Sequence, residues 1–273
     1  KSHDSLFKWL LTSFTTEFFA HYFPDVRIGQ YRFIDKEFIS KYEALKESLK
    51  GDLLLLLEAE IDDDWREIAV QIEHQSERED VSERMFEHLC YVWLLKKKPV
   101  WGIVIYTDEA IWNKRVPEQF WYAFLPKQPK QFFRFSVIKL KEENSRELSN
   151  KHSLLCRLLA LKANDAGTEP AELISKIYQA AAALKEQLTA DQLLLITQWV
   201  EFYKKVPEQT LAKIKQEVGM EMVETTISEH IFNQGKAEGK AEGKAEGKAE
   251  GMIEGELKGQ LTILESLYRL GVL

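Results

Sequence analysis

Residues 51–58 read Gly-Asp-Leu-Leu-Leu-Leu-Leu-Glu, and residues 67–75 read Glu-Ile-Ala-Val-Gln-Ile-Glu-His-Gln. The first stretch is apolar on both pleat faces, the pattern of a central strand. In the second, Ile68, Val70 and Ile72 share a face with His74, while Glu73 and Gln75 share the other, because side chains alternate along a strand. Between them, Ile61 to Trp65 carries the run Asp62, Asp63, Asp64, a turn composition. The two strands therefore pair as an antiparallel hairpin. Centred on Asp63, opposed positions sum to about 126; a sum of 125 sets Asp52 against Glu73, and a sum of 127 sets it against Gln75. Opposed residues point to one face with Cα atoms about 4.5–5.5 Å apart. Two carboxylates and an amide thus converge at one end of an apolar hairpin.

Carboxylates that close repel and shift each other's ionisation. A divalent cation removes the conflict, and Mg2+ prefers one or two carboxylates together with water and phosphate oxygens. Such an ion makes water a better nucleophile and offsets charge on a phosphate. The plainer alternative is a solvated Asp opening one strand and a solvated Glu closing the other.

Working outward, Tyr31 to Ile34 reads as a short strand and Glu37 to Lys50 as a polar helix or loop. Residues 5–20 place Leu6, Phe7, Leu10, Leu11, Phe14, Phe18 and Phe19 on one helical stripe that ends before Pro24. Residues 77–98 return to helical spacing through Val81, Met85, Leu89 and Val92/Trp93, and Val100 to Tyr106 is a β-branched strand. Strand, helix, strand is the order of a right-handed crossover. Phe120 to Leu125 and Phe132 to Leu140 read as further strands. Residues 1–141 are therefore α/β with a mixed sheet, and 142–230 a helical region in which Pro170 and Pro207 begin helices. In 231–273 the unit Gly-Lys-Ala-Glu repeats four times before a Leu257, Leu261, Leu264, Tyr268 stripe. As a helix the repeat places like charges four apart and a glycine in every turn, so it is expected to be flexible or stabilised by a partner. The terminal stripe points to self-association.

Composition narrows the class. The 273 residues are 45% hydrophobic and 11% aromatic, which excludes wholesale disorder. Apolar runs such as Leu53 to Leu57 and Leu89 to Leu95 are too short to span a membrane. Two cysteines, Cys90 and Cys156, make neither a disulfide framework nor a four-ligand zinc site. No secretory leader is seen, so the cytoplasm is the expected location. The net charge of −7 is unevenly distributed: residues 1–95 carry 11 basic and 20 acidic side chains, residues 96–141 ten basic and three acidic. An acidic stretch followed by a basic one suits a metal centre beside a phosphate-tracking surface, or, more simply, solvated lysines at a sheet edge.

The strings Gly-Asp52-Leu-Leu-Leu-Leu-Leu-Glu and Ile-Ala-Val-Gln-Ile-Glu73-His-Gln75-Ser-Glu resemble the Asp…Glu-x-Gln form of the PD-(D/E)XK nuclease core. More specifically, they resemble the Rpn family of recombination-promoting nucleases, which is grouped with transposases. The likeness extends to His3-Asp4-Ser5-Leu6-Phe7-Lys8, Phe33-Ile-Asp35-Lys-Glu37, Glu83-Arg84-Met85 with Tyr91, and Gly-Ile-Val-Ile-Tyr106. It covers residues 1–141 well and the glycine-rich tail in style only. The resemblance implies a restriction-endonuclease-like sheet flanked by helices and a Mg2+-dependent DNA endonuclease acting in recombination. Asp52 and Glu73 then hold the metal, and Gln75 orients the attacking water. Gln75 stands where the wider superfamily has lysine and supplies no positive charge. The alternative is a weak or inactive nuclease scaffold that binds DNA or assembles.

Other residues carry less. Lys8 and Arg84 are candidate phosphate contacts, against solvated positions on their helices. His3 and Asp4 read as caps of the first helix, His74 as a packed histidine, and His88 as a groove-lining or core-edge residue. Asp35 and Glu37 are not expected to ligate metal.

Overall fold

The computed structural model describes residues 2–34, 52–122, 131–165 and 167–220. The hairpin that decides the fold is built from β1 (Ile28–Phe33), β2 (Leu53–Ile61) and β3 (Asp64–Gln75), each antiparallel to the next. Asp62 and Asp63 make the whole turn, at φ 52° and 60°. Two successive left-handed residues match the twist of the flanking strands, and aspartate tolerates that region better than most side chains. The register runs from Ile61 against Asp64 to Leu53 against Ile72, a constant sum of 125.

The crossover follows as expected. Helix α3 (Ser82–Lys96) leads to β4 (Val100–Tyr106), which lies parallel to β3 with Ala69 beside Val100 and Gln75 beside Tyr106. The sheet is completed by β7 (Ser136–Lys139), parallel to β4, giving the order β1-β2-β3-β4-β7. Phe132 to Leu140 is not one strand. It breaks at buried Phe135, so that β6 (Gln131–Arg134) pairs with β5 (Gln119–Tyr122) in a separate ribbon while β7 joins the main sheet.

Both faces of the central strands are covered. Leu54, Leu56 and Ala69 pack with Val92 of α3 on one side. On the other lie α1 (His3–Ser13) and α2 (Thr15–Tyr22), whose Phe7 stacks on His74 at 4.6 Å and whose Phe19 meets Trp101 at 5.7 Å. The sequence stripe implies one helix here, but the backbone breaks at Phe14 (φ −131°, ψ 39°). The hydroxyl-rich run explains the break: Thr12 and Thr15 donate back to Lys8 O and Leu11 O at 3.0 and 2.8 Å, a bond that loosens a helix.

The helices α4 (Ser145–Ser149), α5 (Leu154–Leu159), α6 (Pro170–Ala183), α7 (Ala190–Tyr203) and α8 (Glu208–Val218) complete the described chain. Pro170 is the first residue of α6 and Pro207 the cap of α8, as a fixed proline φ favours. Fully buried Trp199 of α7 touches Phe7 at 5.0 Å and donates to Leu158 O at 2.8 Å. The helical region therefore closes over α1, and residues 1–220 make one compact unit. No described helix is long and apolar enough to cross a membrane. The segment Glu37 to Lys50 with Asp35, the Gly-Lys-Ala-Glu repeat and the terminal leucine stripe lie outside the described residues.

Candidate metal centre

The register places Asp52, one residue before Leu53, against Glu73. Gln71, Glu73 and Gln75 all point to the α3 side, with Leu54 and Leu56. The buried stripe of α3 runs through Val81, Met85, His88 and Val92 rather than through Leu89 and Trp93; Trp93 is 48% exposed. His88 therefore enters the core directly above the acids. Asp52, Glu73 and His88 are 1%, 7% and 0% exposed, and each offers a ligand atom within 4.8 Å of the others. Such a buried set of two acids and an imidazole can hold a metal ion.

Three polar atoms form a tight triangle at the centre. Gln71 Nε2 lies 2.7 Å from Asp52 Oδ2 and 2.7 Å from His88 Nδ1, and these last two are 2.8 Å apart. The amide has two protons and can serve two sides of the triangle. In one tautomer His88 Nδ1 accepts from Gln71, and in the other it donates to Asp52 Oδ2. Met85 Sδ, 3.7 Å from Gln71 Nε2, backs the amide, and Gln71 Oε1 has no hydrogen-bond partner.

Glu73 is held from the other side. Gln75 Nε2 and Arg84 Nη2 both donate to its Oε1, at 2.6 and 2.9 Å, while its buried Oε2 has no partner. Burial, then a hydrogen bond shared with the Asp52 carboxylate and its charge, pushes the Glu73 carboxyl up to about 8; Arg84 and His88 oppose that rise without cancelling it. Burial likewise lowers His88, with Glu73 acting against it.

The structure thus brings Asp52, Glu73, Gln75 and Arg84 together, and adds two residues that the sequence reading did not place there, Gln71 and His88. Their signal was a polar side chain within each apolar pattern. Gln71 interrupts Ile68 to Ile72 on the face of Glu73, and His88 lies three residues after Met85 and four before Val92. Lys8 is not part of the cluster. It is on α1, across the sheet, bonded to Asp4 Oδ2 at 2.6 Å.

On that opposite face His3 and Asp4 do more than cap. The cap is Ser2, whose hydroxyl accepts from Ser5 N. One proton arrangement satisfies a chain of contacts: Tyr203 donates to His3 Nδ1, His3 Nε2 to Thr107 (2.7 Å), Thr107 to His74 Nε2 (2.9 Å), and His74 Nδ1 to Asp4 (3.2 Å). Burial, with His74 and Lys162 adding to it, lowers His3 to about 4, and burial also lowers His74. Both rings are held neutral, and they tie α1 and α7 to the strand that carries Glu73.

The basic segment is partly consumed. Lys139 is fully buried on Asp108 at 2.7 Å, and Lys141 meets Glu109 at 2.8 Å. Lys96, Lys97 and Lys98 precede β4, whose first residue pairs with Ala69, about 20 Å along the strand from Gln75. Arg78, Lys114 and Arg115 instead line a cavity of about 360 Å3 together with Glu79 and Asp80. Glu79 is 3.7 Å from Arg84, so this cavity lies one side chain from Glu73.

No family model, curated protein or solved structure matches this chain.

Proposed function

We propose that the chain is a metal-dependent DNA endonuclease, a hydrolase that cuts phosphodiester bonds with Mg2+ or another divalent cation held by Asp52, Glu73 and His88. The observation that carries the reading is a buried cluster of two acids and an imidazole with ligand atoms within 4.8 Å of one another, in which Glu73 Oε2 accepts no hydrogen bond. An unsatisfied buried acceptor is costly, and a cation is the partner this donor set lacks. The sheet supports the same reading: an antiparallel hairpin followed by a parallel strand-helix-strand unit is the layout the resemblance to restriction-endonuclease-like proteins implies.

When bound, the cation supplies Lewis acidity that offsets phosphate charge and favours ionisation of water. The protein's own groups set the geometry. Gln75 and Arg84 fix Glu73 by its Oε1 and leave Oε2 without a donor. Hydrolysis joins a water oxygen to phosphorus, breaks one ester P–O bond and returns a proton to the leaving oxygen. Neither amide exchanges a proton near neutral pH, so position 75 orients without acting as a base, and slow turnover is expected. Arg78 and Lys114 offer cationic seats for the flanking backbone, at a site that Arg84 connects to the centre.

Cleavage of supercoiled plasmid across a metal titration tests the proposal. Asp52→Asn and Glu73→Gln should abolish nicking while circular dichroism shows the fold retained; equal nicking by either variant would count against it. One observation favours a second reading, a DNA-binding or assembly protein without turnover: both donors nearest Glu73 are already engaged on it. That reading expects salt-sensitive DNA binding with no cleavage in Mg2+ or Mn2+. Light scattering with and without residues 231–273 tests self-association in either case.

A further inference from the structure

We infer that the β5–β6 ribbon docks in the major groove of double-stranded DNA, with Gln119, Trp121 and Arg134 turned to the base edges. The inference rests on the DNA reading above and names the surface that holds the substrate. The two strands form a sheet apart from the main one, and such a pair is marginal in water unless one face is packed. Here one face is. Phe120, Tyr122 and Phe133 surround Phe86 of α3 at ring distances of 5.1, 6.2 and 6.3 Å, and Phe133 also packs on the cluster of Val81, Met85 and Phe135. The ribbon is therefore seated on the helix that supplies His88 and Arg84.

Alternation sends the remaining side chains the other way. Gln119 stands opposite Arg134, so both share the outward face, and Trp121 follows about 7 Å along the strand. All three are exposed, Trp121 by 50%. Neither strand carries an acidic residue, so nothing on it repels a phosphate backbone. The major groove admits a two-stranded ribbon, and its base edges are read by arginine on guanine, glutamine on adenine and apolar groups on the thymine methyl. The outward face offers one side chain of each kind. The foot of the ribbon adjoins the cationic cavity. Pro117 lines that cavity with Arg78 and Lys114, two residues before Gln119, and Glu118 O accepts from Phe135 N at 3.2 Å where the ribbon meets β7. Lys114 is exposed at the rim, whereas Arg115 is held by Glu118 and Glu142 at 2.9 and 3.1 Å. A backbone phosphate on Lys114 and bases on the ribbon make one continuous footprint.

Fluorescence anisotropy of the full chain tests this, in chelator and in Ca2+, on a short duplex enriched from a random pool by the wild-type protein. The same duplex with its cytosines replaced by glucosylated hydroxymethylcytosine, which fills the major groove, should bind at least about tenfold more weakly, on the order of one strong base contact. Netropsin, which fills the minor groove, should leave binding unchanged. Gln119→Ala, at an exposed position, should weaken binding about fivefold or more with the slope of log K against log salt unaltered, whereas Lys114→Gln should reduce that slope by about one. Equal binding to the plain and glucosylated duplexes, displacement by netropsin, an unchanged affinity in Gln119→Ala, or tighter binding to the single strand each overturns the inference and leaves the nuclease proposal to its plasmid assay. A chain that binds no DNA in either condition overturns both.

Discussion

Glu73→Gln should make the metal-free protein more stable at high pH while removing its response to cations. The substitution keeps shape and hydrogen bonding: the amide oxygen can still accept from Arg84 and the amide nitrogen can donate toward Asp52. What it removes is an ionisation that the fold opposes. The Glu73 carboxyl is raised from 4.5 to about 8, first by burial and then by Asp52. A group whose folded pKa exceeds its unfolded value contributes fully below the unfolded value and loses that contribution as pH rises through the folded one. The metal-free wild type should therefore weaken between about pH 4.5 and pH 8. At about 1.4 kcal/mol for each tenfold step in the ionisation equilibrium, the loss approaches about 4 kcal/mol at pH 8 as a ceiling. In a unit of this size that is on the order of ten degrees in melting temperature. Melting curves in chelator across pH 5 to 9 should show a steep decline for wild type and a shallow one for Glu73→Gln, with the variant the more stable at pH 8. Added Mn2+ should restore wild type and leave the variant where it was. Parallel pH profiles, or a variant less stable than wild type at pH 8, would refute the account of a carboxylate strained by its own surroundings.

Three further outcomes follow from other parts of the molecule. His3 has a pKa lowered to about 4, mainly by burial, so its contribution is present above about pH 6.5 and lost as pH falls toward 4; His3→Gln should flatten that acid limb in melting experiments, and an identical limb would place the destabilising proton elsewhere. A Cβ at Gly102 would stand 2.8 Å from Met85 Cε and 3.3 Å from Phe135 Cβ, so Gly102→Ala should cost about 1–3 kcal/mol in urea unfolding and also lower Mn2+ affinity, because Met85 backs Gln71. Asp62→Asn with Asp63→Gly suits the two left-handed turn positions and should raise stability by about 1 kcal/mol without altering cleavage; a loss of stability would show that the turn prefers its aspartates.

Much of this was legible in the chain. The hairpin was readable because its strands are long, apolar and closed by an aspartate run, and because period two leaves few registers once both faces are buried. The register then decided between Glu73 and Gln75 as the partner of Asp52, through a turn of two residues instead of the five-residue span from Ile61 to Trp65. The break at Phe14 and the division of Phe132 to Leu140 were not legible, since the apolar pattern continues through both and only local backbone bonding or partner choice interrupts it. The inward turn of His88 is hidden for a related reason: Leu89 satisfies the same helical spacing, and only packing against β3 shows which of the two turns inward. Charge was the least informative signal. The basic segment looked like one surface, yet Lys139 and Lys141 serve internal carboxylates.

The alternation of β3 has a consequence for how this protein can vary. Glu73 and Gln75 serve one layer and His74 the layer behind it, so a single inserted or deleted residue between Ala69 and Gln75 would exchange the two, sending the histidine to the acids and the acids to the aromatic side. Added residues are best absorbed at the hairpin tip, at Asp62 and Asp63, as a longer loop that leaves the pairing from Ile61 with Asp64 onward unchanged. Tolerance to insertions along this strand should therefore fall from permissive to absent within a few residues.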